Sequence, residues 1–331
     1  MIEFTYTMKI AVTGASGHVG TNLCRMLIAS SHEVKALIHN SMKGLEGLDI
    51  EFIHGDIASE SDLRKLCSGC QTVFHLAATI SIRKKDSNCR RINVESCANL
   101  LRAAKAEGVR RIIHFSSIHA FNHEPLDREL DETRALDIES SVSYNRSKAL
   151  GQKMMSEASS EGLEVVVLNP TAIIGPNDFK PSLLGNAIIR FYKGQNPSLV
   201  PGGYDWVDVR DICSAAINAI ELGTPGECYL LSGSWYDLKS MADTIAKLGG
   251  HKAPGLSLPG WIAHIGAAFL NLHASITGSV PLYTSMSLET LKNSHRNISH
   301  LKASRDLNYK PRPFEETMAD TVRWFKENNY I

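Results

Sequence analysis

The stretch Lys9-Ile-Ala-Val-Thr13, followed at once by Gly14-Ala-Ser-Gly17-His-Val-Gly20, decides the fold of this chain. The apolar run Ile10-Ala-Val reads as a strand buried on both faces, as parallel sheets require. The three glycines then recur at GxxGxxG spacing and lead into a helical run, Val19–Ser30. A turn this tight needs residues without a Cβ, so that backbone N–H groups can reach a diphosphate at the positive end of the helix. The last glycine lets the helix pack closely on the strand. Between a first strand and a first helix, such a loop is a dinucleotide fingerprint. Gly14, Ser16, Gly17, His18, Val19 and Gly20 are therefore expected to hold a pyrophosphate.

Outward from this loop, strand and helix patterns alternate. Strands are predicted over Glu33–His39, Glu51–His54, Thr72–Leu76, Arg111–Ser116 and Glu164–Asn169. Helices are predicted over Ser59–Cys67, with Ser59 as N-cap, over Asn93–Glu107, with Asn93 opening it, and over Tyr144–Ser160. The alternation argues for an α/β fold, a Rossmann-type doubly wound parallel sheet. After Pro170 the rhythm changes, and glycine and proline crowd 175–181 and 196–203. A helix over Val209–Glu221 and a strand over Cys228–Ser232 follow, then helices between Ser240 and Asn293 and a last one over Phe314–Asn328. The division expected is a nucleotide-binding domain, 8–170, to which 204–232 returns, and a smaller, discontinuous C-terminal substrate lobe, 171–203 with 233–331. Residues 1 to 7 read as an extension with no structural role.

Composition narrows the function. The 331 residues carry 35 basic and 35 acidic side chains, so charge gives no argument for nucleic acid or a membrane surface as partner. The apolar run Leu256–Leu272 is interrupted by Pro259, Gly260, His264 and Asn271, and is too short to read as a membrane span. The seven cysteines include one CxxC, Cys67 and Cys70, with no companion pair, so no metal site is expected. Scattered thiols and the lack of a signal-peptide pattern point to the cytoplasm. The remaining partner is a small molecule, and the chain is expected to act as a monomer or homodimer.

Further positions extend the dinucleotide reading. Asp56, with Ile57, follows the third strand and is placed to accept from an adenine amino group. Leu76, Ala77 and Ala78 end the fourth strand, where small residues let the cofactor pass. Pro170 and the backbone through Ile173 are expected beside the nicotinamide. An NAD-binding chain usually places an acid at the end of the second strand. Here His39, Asn40 and Ser41 stand there, with Lys43 beyond. The missing carboxylate favours NADP, with NAD as the alternative.

Tyr144-Asn-Arg-Ser-Lys148 places a phenol and an amine on one helix face. A phenol titrates near pH ~10; a neighbouring ammonium favours the phenolate and suits it to pass a proton at a carbonyl. A hydroxyl at the end of the fifth strand, Ser116 or Ser117, would steady the substrate oxygen. Asn93 is expected to order water or backbone near Lys148. Asp208, Arg210 and Asp211 read as a capping and salt-bridge group. The aromatics Phe179, Phe191, Tyr204, Trp206, Trp261 and Phe269 read as core more than pocket.

In order, TGASGHVG, GDI, HLAA, INVESCANLL, HFSSIHAF, YNRSK, LNPTAIIGP and WVDVRD resemble the motifs of the extended short-chain dehydrogenases/reductases, the NAD-dependent epimerase/dehydratase family. More narrowly the chain resembles the dihydroflavonol-4-reductase-like branch, over residues 8 to 331. The resemblance implies a Ser-Tyr-Lys triad. In the family the hydroxyl lies four residues before an aromatic, here Phe121, which selects Ser117. Sugar-nucleotide dehydratases follow that hydroxyl with Asp-Glu; Ile118-His119 stands here, which disfavours dehydration. The expected activity is NADP(H)-dependent reduction of a ketone or aldehyde on a small, largely apolar substrate. The alternatives are an NAD-dependent nucleotide-sugar epimerase and a non-catalytic dinucleotide sensor.

Overall fold

The computed structural model describes residues 6–81, 85–159, 162–195, 198–250, 253–254 and 285–331. The run Leu256–Leu272, with Trp261 and Phe269, lies outside the described residues. In chain order the first half contains β1 (Lys9–Thr13), α1 (His18–Ala29), β2 (Glu33–Ile38), β3 (Ile50–His54), α2 (Glu60–Cys67), β4 (Thr72–His75), α3 (Ser87–Arg90), α4 (Ser96–Ala106), β5 (Arg111–Phe115), α5 (Ser143–Ala158) and β6 (Glu164–Pro170). The second half adds β7 (Ala172–Ile174), α6 (Leu183–Tyr192), β8 (Gly203–Asp208), α7 (Val209–Asn218), β9 (Cys228–Leu231), β10 (Ser234–Asp237), α8 (Leu238–Gly249), α9 (Ser285–Lys292), α10 (Leu301–Leu307) and α11 (Phe314–Glu327).

Among the described residues, seven strands form one sheet in the order β3-β2-β1-β4-β5-β6-β9. Every pair in it is parallel. The reason lies in the strand sequences, which are apolar on both faces. Ile10, Val12, Phe74, Ile113, Phe115, Val166 and Leu168 pack with α1 and α7. The intervening Ala11, Val73, Ile112, Val165 and Val167 pack with α2, α4 and α5. Each large apolar side chain buried in this way contributes about 1.5–3 kcal/mol. The Rossmann-type fold expected from the sequence is thus present.

The smaller lobe is built on a second sheet, β10-β8-β7, with β8 antiparallel to β10 and parallel to β7. Its core joins Ile188, Phe191, Trp206, Met241, Ile245, Phe314, Met318 and Phe325. β8 sits here rather than in the large sheet, whereas α7 and β9 do return to the large sheet. Phe179 packs edge-on to Trp324 and Tyr204 to Trp206, inside lobe contacts. Asp208 caps α7 and pairs with Arg210 and Arg312, while Arg210 reaches Asp320 and Arg312 reaches Asp211. Burial pushes the Asp208 carboxyl up, but Arg210 outweighs it and holds the group below its ordinary value. The cluster ties α7 to α11, the capping and salt-bridge role read from the sequence.

Three local features differ from the sequence expectation. Asn93 opens no helix: it lies within a π-helical turn, Arg91–Glu95, in a helical run that starts at Ser87 after an Asp86 cap. The crowded stretch after Pro170 holds β7, α6 and β8, which are short and interrupted by glycine and proline. The extension is not wholly inert, since Tyr6 donates to Glu221 at 2.6 Å. Ser59 caps α2 as expected, accepting from the Asp62 amide. No helix among the described residues is long and apolar enough to cross a membrane.

Candidate active site

The parallel sheet brings the expected positions to one edge. The glycine loop follows β1, His39 and Asn40 follow β2, Asp56 and Ile57 follow β3, Leu76–Ala78 follow β4, Ser117 follows β5 and Pro170 ends β6. In open α/β sheets the crevice for a ligand lies at this edge.

The glycine loop leaves space only where a ligand needs it. Gly14 adopts φ 71°, and a Cβ on it would meet the Ala77 amide nitrogen at 2.7 Å. A Cβ on Gly20 would overlap the Gly14 carbonyl oxygen. Gly17 differs: it is exposed, and its Cβ would meet just the Gly14 oxygen, at 3.3 Å. Gly17 is also the N-cap of α1 and supplies no side-chain cap, so the first-turn amides keep their capacity for an anion. These residues fit a dinucleotide diphosphate. Ser16, His18 and Val19 are half-buried beside them.

A buried hydrogen-bond chain ties this loop to α5, and no sequence motif announces it. Thr13 Oγ1 accepts from the Leu76 and Ala77 amides, both at 3.2 Å, so its proton goes to His75 Nδ1 at 2.9 Å. His75 Nε2 then faces Cys97 Sγ at 3.7 Å, and that thiol donates to the Asn93 carbonyl at 3.2 Å. His75, Cys97 and His114 bring ligand atoms within 4.8 Å of one another. The His75 and Cys97 atoms are already engaged in this chain. Burial, with the Lys148 charge next, pushes the His75 imidazole down to about 3.

Asn93 orders backbone, as expected, though from mid-helix. Its Oδ1 accepts from the Thr79 amide at 2.8 Å, and its Nδ2 donates to the Thr79 carbonyl at 3.0 Å and to Ser147 Oγ at 2.9 Å. Gly151 makes this packing possible: a Cβ there would overlap the Asn93 carbonyl oxygen.

Ser117, Tyr144 and Lys148 converge between β5 and α5. Ser117 caps a short 3₁₀ turn, Ile118–Ala120, its Oγ accepting from the His119 amide at 3.2 Å. Asn169 Nδ2 holds the Ser117 carbonyl at 2.9 Å. Lys148 is buried, and its Nζ donates to the Phe115 carbonyl at 2.8 Å. Burial pushes this amine down to about 8. Burial also raises the half-buried Tyr144 phenol above its ordinary value, while a hydrogen bond with Ser117 pulls it down. The Ser117 hydroxyl thus favours the phenolate and burial opposes it. Of the two strand-end serines, Ser117 is the one that meets Tyr144; the Ser116 hydroxyl is buried without a partner among the described residues.

The positions expected to meet the adenosine are more open. His39 and Asn40 are exposed. Lys43 Nζ lies 5.2 Å above the Tyr330 ring, toward the chain's end. Asp56 accepts from the Ala58 amide at 2.9 Å and faces Arg91 at 3.6 Å, the behaviour of a turn residue. Pro170 is buried and Ile173 half-buried.

Comparison with known proteins agrees with this architecture. The model of the NAD dependent epimerase/dehydratase family matches residues 10–231. The chain is 32% identical over 330 residues to "Sterol demethylase protein B" of Methylococcus capsulatus, covering 98% of this chain and 100% of that one. It is 29% identical to "Putative dihydroflavonol 4-reductase" of Synechocystis sp., over 97% and 95% of the two chains. Among solved structures, gox2253 superposes with a TM-score of 0.83 at 28% identity, over 98% of this chain and 99% of that one. The chain belongs to the NAD-dependent epimerase/dehydratase family, within the extended short-chain dehydrogenases/reductases, and is an NAD(P)-dependent oxidoreductase.

Proposed function

We propose that this oxidoreductase reversibly reduces a ketone or aldehyde on a small, largely apolar substrate with NADP(H). The observation that carries the reading is the Ser117–Tyr144 contact beside the buried Lys148, at the end of β5 on the same sheet edge as the glycine loop. Gly14, Ser16, Gly17, His18, Val19 and Gly20 would hold the diphosphate. His39, Asn40 and Lys43 would serve a 2′-phosphate, Asp56 and Ile57 the adenine, and Leu76–Ala78, Pro170 and Ile173 the nicotinamide side. When bound, the nicotinamide supplies the hydride.

The chain's own residues do the rest. Ser117 orients the substrate oxygen. Tyr144, kept protonated by burial, gives its proton to that oxygen as charge develops there, and takes it back in the oxidative direction. Lys148, fixed on the Phe115 carbonyl, places positive charge beneath the site. Asn93 holds the Thr79 backbone and Ser147 in register with this helix. The lobe built on β7, β8 and β10 with α6, α8 and α11 is assigned the substrate. That one relative is named for a sterol, an apolar ring compound, supports an apolar substrate.

The test is a panel of cyclic and aryl ketones with NADPH and with NADH. The reading expects net consumption of NADPH, and less of NADH. A chain that purifies with tightly held NAD and consumes neither cofactor would instead act as an epimerase.

A further inference from the structure

The last residues of the chain return to the loop that follows β2, and the reduction chemistry leaves this contact unused. Lys43 Nζ lies over the face of the Tyr330 ring, 5.2 Å from its centroid. Tyr330 is itself held at two points. Its hydroxyl donates to the Phe179 carbonyl at 2.6 Å, and its ring stacks on Trp324 of α11, at 5.6 Å and 25°. Phe179 stands edge-on to Trp324 at 5.0 Å and carries the Arg25 guanidinium over its own ring at 5.4 Å.

The same side chains fix the backbone beside Lys43. Arg25 donates to the Gly44 carbonyl at 2.8 Å. Gly44 adopts φ 87°, and a Cβ on it would meet the Phe179 ring at 2.5 Å and the Thr21 methyl at 3.1 Å. Thr21 donates its amide to the Gly17 carbonyl at 2.8 Å and so closes the first turn of α1. Lys43, the neighbour of Gly44, therefore stands on a loop packed against the turn whose amides fit a diphosphate.

An ammonium on an aromatic face can be a packing staple or an anion ligand held ready, and its partners separate the two. Among the described residues Lys43 Nζ makes no hydrogen bond and no ion pair. The nearby acid, Glu46, accepts from the Gly44 amide at 2.5 Å instead. A ring face attracts the charge without offering a lone pair, so the N–H donors of this exposed lysine remain for an anion. Resting on the assignment of Lys43 to a 2′-phosphate, we infer that Tyr330 is a positioning residue for cofactor choice. Its ring holds Lys43 for that phosphate, so the end of the chain helps to distinguish NADP from NAD.

The experiment titrates the full chain with NADPH and, separately, with NADH, reads each Kd from nicotinamide fluorescence, and records a thermal melt of every variant. Tyr330→Leu should weaken NADPH binding about threefold to fivefold, the weight of one exposed cation–π contact, and leave the Kd for NADH unchanged. Tyr330→Phe keeps the ring and should keep most of the wild-type preference. Lys43→Met should weaken NADPH binding about tenfold or more, the weight of a charged hydrogen bond. Adding Tyr330→Leu to Lys43→Met should cost nothing further, because the two side chains act as one unit. Tyr330→Met serves the same comparisons if Tyr330→Leu melts early. Equal losses for NADPH and NADH, or losses that add in the double variant, show a packing role alone and overturn the inference while the NADP reading stands. A wild type that binds NADH as tightly as NADPH removes the NADP reading. A Lys43→Met variant that binds NADPH like wild type removes Lys43 from the 2′-phosphate. In either case the inference falls with the reading it rests on.

Discussion

Lys148 Nζ donates a 2.8 Å hydrogen bond to the carbonyl of Phe115, the last residue of β5. The bond anchors α5 to the strand whose next turn carries Ser117. Lys148→Met should lower kcat/KM for carbonyl reduction by roughly 10²-fold or more, the scale of a lost positioned charge. It also leaves the Phe115 carbonyl without its donor, at a cost of about 1–3 kcal/mol. Because burial brings the amine to about 8, the reduction rate of the wild type should fall as pH rises through that value and the ammonium is lost. A pH–rate profile flat to pH 10 would contradict this.

The two halves of the glycine loop should respond differently. Gly20→Ala drives a Cβ into the Gly14 oxygen, so the first turn of α1 must shift. We expect a melting temperature lower by several degrees and loss of dinucleotide binding. Gly17→Ala meets the same oxygen at just 3.3 Å and faces outward. It should keep nearly the wild-type melting temperature yet weaken NADPH binding. Thermal melts and cofactor titrations on both variants decide the matter.

Acid should destabilise the fold in a definite window. His75 and His119 titrate at about 3 when folded against 6.5 ordinarily, and His114 also lies well below. Their folded values are depressed, so the stability they confer by staying neutral is present above about pH 6.5. It is lost as pH falls toward 3. For the fully buried His75, each pH unit of that fall removes up to about 1.4 kcal/mol. The melting temperature should therefore drop steeply between pH 6.5 and 4. His114→Phe, which removes one such group and an unpartnered buried Nδ1, should shrink the difference in melting temperature between pH 8 and pH 5. An unchanged difference would argue against the mechanism.

The proposed preference for NADP rests on the end of β2. His39→Asp introduces the carboxylate that binds a ribose 2′-hydroxyl and repels a 2′-phosphate. The KM for NADPH should rise by tenfold or more, and the NADH:NADPH preference should move toward NADH. Equal KM values for NADPH in the variant and wild type would show that His39 is not near the phosphate.

What can be read from the sequence follows a physical division. β1, the glycine loop and α1 are legible because periodicity, turn chemistry and packing agree over consecutive residues. Tyr144 and Lys148 are legible because helix spacing alone puts them on one face. The link from Thr13 through His75 and Cys97 to Asn93 is not, since it joins residues of separate elements whose sequence spacing carries no local pattern. Gly151 is hidden for the same reason: its meaning is the Asn93 carbonyl, more than fifty residues away. Asn93 misleads because a polar residue at a helical boundary imitates a cap, and the preceding Asp86 cap and short α3 are weak signals. β7 and β8 escape notice because their glycine- and proline-rich surroundings imitate loop.

The central claim is that Tyr144 passes the proton at the substrate oxygen. Tyr144→Phe removes one oxygen atom and keeps the ring against His119. The direct measurement pairs single-turnover carbonyl reduction with NADPH titration of the same variant. The account predicts a loss of at least ~10³-fold in the reduction rate, with NADPH affinity within about threefold of wild type. A variant that reduces the ketone at the wild-type rate would contradict it.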